Sequence, residues 1–141
     1  MTDIERRREI LEFVRDLKSN LGSDPFRIAE YCGIRVLEKK ALKATGSTIR
    51  MTGYPAVITL YGCETQASRH VICAHELGHA LLHEDVTVNR FDGTYAGIMG
   101  RSEHEANLFA VALLFDENDF NCRLEDMSNY SLKSILDYNL R

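Results

Sequence analysis

The stretch from Gln66 to His83, QASRHVICAHELGHALLH, constrains the fold more than any other part of the chain. Val71, Ile72, Ala74, Leu77, Ala80, Leu81 and Leu82 leave a helix here with little polar face. Such a helix belongs at the centre of a domain, covered on most sides. Yet His75, Glu76, His79 and His83 run along one side of it. Burying several ionisable groups without partners is costly. A metal ion, a cleft or both would resolve that cost.

His75-Glu76-Leu77-Gly78-His79 reads H-E-x-x-H. Positions i and i+4 share a helical face about one turn apart, so two imidazoles there can reach one metal ion. Glu76 points toward the same side and can take a proton from water at that metal. Five histidines and twelve glutamates in 141 residues give this pattern by chance in about one random ordering in seventy. The competing reading is a buried helix that happens to carry two histidines, so the motif needs a third ligand.

A second apolar helix, Ser102 to Phe115, supplies candidates. Ala106, Leu108, Phe109, Ala110, Val111, Ala112, Leu113 and Leu114 must pack on the first helix, and Glu103 and Glu105 open it. Glu103 and Asn107 lie i,i+4 and face one way. Glu103 can bind the metal while Asn107 hydrogen-bonds a ligand histidine and fixes its tautomer. Glu105 points elsewhere by roughly 200° and suits a capping box with Ser102 at the N-cap. Glu103 is therefore preferred to Glu105 as ligand. His83 lies two turns from His75, too far to share one zinc, and reads as a residue behind the ligands or in the cleft. His70 reads as structural and His104 as solvated. Tyr54, Tyr61 and Tyr95 are further candidates for stabilising an oxyanion, and spacing does not choose among them.

The rest of the chain reads as one domain over residues 1–141. Residues 3–21 look helical, with Ile10, Phe13, Val14, Leu17 and Leu21 at three- and four-residue steps and Gly22 as the stop. Asp24-Pro25 opens a shorter helix that Gly33 ends. Residues 34–38, 45–52 and 56–61 read as strands, and a small antiparallel sheet is the simplest outcome. Residues 84–101, with Gly93, Gly97 and Gly100, read as a long loop, with a hairpin at Asp92-Gly93. It is either the wall of a site or a plain surface excursion. The fold class is thus α+β.

Hydrophobic residues make up 45% and charged residues 27%, with net charge −4. That balance is ordinary for a globular domain and calls for no direct nucleic-acid partner. Arg6-Arg7-Arg8 is the one basic cluster; among Glu5, Glu9 and Glu12 it reads as a solvated helix face. No stretch has the length of a membrane span, and the charged N-terminus lacks a signal-peptide core, so the expected location is the cytoplasm. Cys32, Cys63, Cys73 and Cys122 form no C-x-x-C and are expected to be free thiols, largely buried.

The segment RHVICAHELGHALLH followed by EHEANLFAVALL resembles the ImmA/IrrE-type zinc metallopeptidases, and DPFRIAEYCGIRV is similar to that family's entry into the domain. The resemblance covers roughly residues 24–115. The family's helix usually ends in a proline after the paired leucines, whereas Leu113-Leu114 is followed here by Phe115-Asp116. The resemblance implies a minimal zincin-like domain, a three-stranded sheet packed on the H-E-x-x-H helix. It implies one catalytic Zn2+ on His75, His79 and an acidic residue of EHEAN, with Glu76 as base. The wider gluzincin pattern, a ligand Glu followed four residues later by Asp or Asn, points to Glu103 and Asn107. Its members are bacterial or phage regulators that cleave a partner repressor, usually a helix-turn-helix protein.

The expected activity is therefore a zinc-dependent endopeptidase acting on a regulatory protein. A substrate strand would pair with an edge strand within residues 55–61. One alternative is a zinc-bearing module that sequesters a repressor or antitoxin without hydrolysis, and a second is a metal-free relic. Glu76 weighs against both, since only hydrolysis needs it.

Overall fold

A computed structural model describes residues 1–51, 53–83, 88–90 and 98–140, with the side chains of 88–90 and 98–99 outside the description. Among the described residues, five helices and four strands follow in the order α1 (Asp3–Leu21), α2 (Pro25–Tyr31), β1 (Arg35–Lys39), β2 (Thr45–Ile49), β3 (Val57–Tyr61), α3 (Gln66–Leu82), β4 (Val88–Arg90), α4 (Ile98–Leu114) and α5 (Asn129–Tyr138). Two short 3-10 turns, Glu117–Asp119 and Leu124–Asp126, join α4 to α5. This is the α+β architecture expected. Among the described residues no helix is long and apolar enough to cross a membrane. The Asp92-Gly93 hairpin lies outside the described residues.

Local chemistry sets the helix ends. Thr2 caps α1 by accepting from the Glu5 amide, and Asp24 caps α2 by accepting from the Phe26 amide with Pro25 in the first turn. Thr65 and Ser68 form a reciprocal capping box at the start of α3. Helix α4 departs from expectation. It begins at Ile98, so Ser102 lies inside the helix and is not its N-cap. Gly100 is tolerated in a first turn, and no proline stops the helix from growing backward from Ser102. The Glu105 carboxylate is consequently not part of a capping box and bonds elsewhere.

The sheet order is β1-β3-β2-β4. Strands β2 and β3 pair antiparallel with Ser47 opposite Thr59, and β2 pairs antiparallel with β4. Strand β1, however, pairs parallel with β3, Val36 opposite Ile58. The sheet is therefore mixed rather than purely antiparallel, and β4 adds a strand to the three expected. The topology also corrects the expected edge strand. Strand β3 lies between β1 and β2, so both of its ladders are occupied and no peptide can add to residues 57–61.

Helix α3 is the centre of the molecule. Every residue from Val71 to Ala80 is buried, between the sheet on one side and α4 on the other. Ile58 and Leu60 of β3, Leu77 of α3, and Leu108, Phe109 and Leu113 of α4 are fully covered. Truncating one such leucine to alanine costs about 2–5 kcal/mol. Two close approaches need glycine. A Cβ on Gly78 would lie 3.2 Å from Ala106 Cα and from Phe109 Cβ, so Gly78 lets α4 approach α3. A Cβ on Gly46 would lie 2.6 Å from Ile72 Cγ2 and 2.8 Å from Glu76 Cγ, so Gly46 lets β2 lie against the other face.

Helix α1 closes the far side of α4. Lys18 donates to the Ala112 and Phe115 carbonyls, satisfying the end of that helix. The Arg6-Arg7-Arg8 run is solvated only in part: Arg8 is exposed, Arg6 and Arg7 are half-buried, and all three have distant partners. Arg6 binds the Glu105 carboxylate, Arg7 the Glu125 carbonyl and Arg8 the Glu125 carboxylate. The cysteines also differ in part from expectation. All four are free thiols, but Cys32 and Cys122 are exposed and only Cys73 is buried.

Candidate metal centre

One turn of α3 places His75 and His79 on the side facing α4, with their rings edge-to-face at 4.8 Å between centroids. Glu103, in α4, meets both. One carboxylate oxygen lies 3.2 Å from His75 Nε2, and the other 2.8 Å from His79 Nε2. One ligand atom from each of the three residues lies within 4.8 Å of the other two, a spacing that can hold one metal ion. His75 and His79 are buried, and Glu103 is partly exposed, so the cluster opens on one side to solvent.

The electrostatics suit a cation. Burial pushes the His79 pKa down to about 4, so its imidazole is neutral at pH 7, the form that coordinates. Burial would raise the Glu103 pKa, but hydrogen bonds from His75 and His79 outweigh it and hold the carboxyl at about 2, fully ionised. Burial also works against charge on His75. There the facing Glu103 and Glu76 carboxylates and a hydrogen bond to Asn107 prevail, and its pKa is raised. Two imidazoles and a carboxylate are a zinc donor set, and their surroundings favour positive charge between them.

Glu76 is buried next to the ligand histidines, on the flank of α3 that faces β2, and is not one of the three residues of the ligand cluster. The Thr48 hydroxyl lies 3.1 Å from its Oε1 and 3.1 Å from its own backbone carbonyl. Burial raises the Glu76 pKa to about 7, only partly opposed by His75 and by the Thr48 hydrogen bond. A carboxyl poised near neutrality can both accept and return a proton.

Behind the ligands, Asn107 hydrogen-bonds His75 and donates to Asn129 Oδ1 at 2.8 Å, tying the first residue of α5 to the cluster. His83 Nδ1 lies 3.0 Å from His79 Nδ1. Its other nitrogen lies 3.0 Å from Glu105 Oε1, and Arg6 holds Glu105 through two guanidinium nitrogens at 3.2 and 3.3 Å. Glu105 thus turns away from the ligand atoms. Burial would raise its pKa too, but His83 and Arg6 hold it at about 2.

The remaining candidates stand apart from the cluster. His70 bonds the Gln66 carbonyl and stacks edge-on against Phe26, a structural role. His104 is half-buried toward α1, where it hydrogen-bonds the Met127 backbone. Tyr54 is exposed beside Met51 and Pro55, Tyr61 ends β3, and Tyr95 lies outside the described residues. Sequence reasoning missed Thr48, Gly46, Asn129 and Arg6. For the first two a signal existed: Gly46 and Thr48 alternate onto one strand face, and a small residue beside a hydroxyl there marks a face meant for something other than packing.

An α+β domain whose H-E-x-x-H helix meets a carboxylate from a second helix has the architecture of a minimal zincin-like domain. The chain belongs to the Peptidase_M78 family, described as the IrrE N-terminal-like domain, whose model matches residues 29–138. It is also similar to "Uncharacterized immunity region protein 2" of Bacillus phage phi105, with 29% identity over 103 residues. That match covers 73% of this chain and 65% of the relative, so the chain spans a little under two thirds of the relative's length. No solved structure matches it.

Proposed function

We propose that the chain is a zinc-dependent endopeptidase that cleaves a regulatory protein, a helix-turn-helix repressor being the favoured substrate class. The observation that carries the reading is the division of labour along α3. His75 and His79 converge on Glu103, while Glu76 is buried beside them with the Thr48 hydroxyl on its carboxylate. A scaffold that only held a metal would have no use for a carboxyl kept near neutrality. The family is one of peptidases, and the printed name of the phage relative, an immunity-region protein, supports a regulatory target.

His75, His79 and Glu103 would hold the zinc. When bound, it would supply Lewis acidity to a scissile carbonyl and to water. Glu76 accepts the proton of the attacking water and returns it to the leaving amine. Thr48 orients the Glu76 carboxylate through its hydroxyl, and Asn107 and His83 orient the ligand imidazoles. A substrate strand would add at β4 rather than at β3. Strand β4 is outermost in the sheet, and its partner β2 carries Thr48.

The test is Glu76→Gln. The variant should retain one zinc per chain and lose at least about 100-fold in cleavage of the repressor, the lower figure for a removed general base. A variant that still cleaves at the wild-type rate overturns the mechanism. A wild-type chain that binds zinc and the repressor without producing fragments overturns the peptidase reading in favour of sequestration.

A further inference from the structure

The structure assigns Arg6, Glu105 and His83 as positioning residues of the metal centre, a chain that fixes the tautomer of His79 from the N-terminal helix. It rests on the metal-binding reading above. Donors and acceptors along this chain can be counted. Two ring nitrogens, His79 Nδ1 and His83 Nδ1, face each other at 3.0 Å, so one carries the proton and the other accepts it. His79 aims Nε2 at the Glu103 side of the cluster. In the metal-free site that nitrogen donates to the Glu103 carboxylate at 2.8 Å; with zinc on Nε2 it would carry no proton, so the proton of His79 would reside on Nδ1 and be donated to His83. His83 then accepts at Nδ1, and its own proton sits on Nε2, where Glu105 Oε1 stands 3.0 Å away.

The Glu105 carboxylate can only accept, and Arg6 can only donate. Arg6 meets both Glu105 oxygens. With zinc on His79 Nε2, every proton along Arg6, Glu105, His83 and His79 is thereby assigned without a mismatch. In that zinc-loaded state the opposite tautomer of His83 would put two donors face to face at His79, and would leave its Nε2 lone pair against a carboxylate. Outer partners of this kind raise ligand basicity and hold the ring in place. Arg6 lies outside residues 29–138, the span matched by the family model. This part of the centre is therefore supplied by α1, across a separation of 99 residues.

The experiment uses the full chain and zinc alone. Affinity is read by competition with a chromophoric chelator, and tautomers by long-range proton–nitrogen spectra of the zinc-loaded, nitrogen-15-labelled protein. Glu105→Ala and Arg6→Ala are expected to weaken zinc binding about 10- to 100-fold, with Arg6→Lys recovering part of the loss. Arg8→Ala breaks the neighbouring Arg8–Glu125 pair on the same helix and is expected to leave the affinity unchanged, which separates this chain from the general docking of α1. The spectra should show His79 protonated on Nδ1 and His83 on Nε2. Affinity losses equal in the Arg6 and Arg8 variants, or His83 protonated on Nδ1, overturn the inference alone. A wild-type chain that takes up no zinc overturns the reading of the site, and this inference with it.

Discussion

The two flanks of α3 treat a buried carboxyl in opposite ways. On the β2 flank, Glu76 meets a hydroxyl, and burial carries its pKa to about 7. On the α4 flank, Glu103 and Glu105 face imidazoles and a guanidinium, which outweigh burial and hold both at about 2. Each flank depends on a glycine that admits its neighbour: Gly46 lets β2 reach Glu76, and Gly78 lets α4 reach the histidines. The lesson is that desolvation alone makes a base, whereas desolvation with a cationic or hydrogen-bond-donating partner makes a permanent anion. One helix can therefore present both, provided the sheet lines one flank and a helix rich in partners lines the other.

The largest expected effect comes from emptying the anionic flank. Glu103→Ala removes the group on which both imidazoles converge. It should weaken zinc retention by more than about 100-fold, the upper figure for merely outer partners, with cleavage lost in parallel. Dialysis followed by elemental analysis checks it. Zinc retained at one per chain would show that the flanks do not divide the work as described. Next in size is Gly78→Ala. The added Cβ meets Ala106 and Phe109 at 3.2 Å, contacts tighter than the packed helices can absorb without shifting. A loss of about 1–3 kcal/mol in urea unfolding is expected.

A pH series on the metal-free chain sharpens the contrast, because the two flanks carry opposite signs. Glu76 has its folded pKa raised from 4.5 to about 7. Its contribution to stability is present below about pH 4.5 and is lost as pH rises through 7. Glu103 and Glu105 have folded pKa values lowered to about 2. Their contribution is present above about pH 4.5 and is lost as pH falls through 2. Glu76→Gln should therefore flatten the decline on the alkaline side, and Glu105→Gln the decline on the acid side. Unfolding midpoints across the range read both slopes. Parallel curves for the two variants would mean that the flanks are electrostatically alike.

How much of this was legible beforehand depends on how far the information travels along the chain. The H-E-x-x-H stripe and the i,i+4 relation of Glu103 to Asn107 are local, and helical periodicity brings them to one place. Helices α1, α2 and α3 fell where terminating residues, caps and apolar spacing put them. Strand direction was not legible: β1 runs parallel to β3 because of a crossover, and no strand's own residues record it. Arg6, Arg7 and Arg8 look like a solvated face from their acidic neighbours, yet their partners lie 99 to 118 residues away. Ser102 and Glu105 make a plausible capping box on paper. Tertiary partners won, with Glu105 drawn to His83 and Arg6 and the helix extended back to Ile98.

The smallest effect tests the neutral flank at a single hydroxyl. Thr48→Val keeps the side chain's shape and removes the hydroxyl that lies 3.1 Å from Glu76 Oε1. That hydrogen bond favours the ionised carboxylate, opposing burial. Without it the Glu76 pKa rises further. The base must be ionised in the free enzyme, so the acid limb of kcat/KM should move to higher pH. One hydrogen bond is worth about 1 kcal/mol, so the loss near neutrality should be about fivefold. Zinc uptake should not change, because the Thr48 hydroxyl bonds Glu76 and, among the described residues, none of the three ligands. A shifted limb with unchanged zinc would place the hydroxyl with the base. A loss of zinc alongside the shift would mean that β2 supports the ligands as well, and the division between the two flanks would fail.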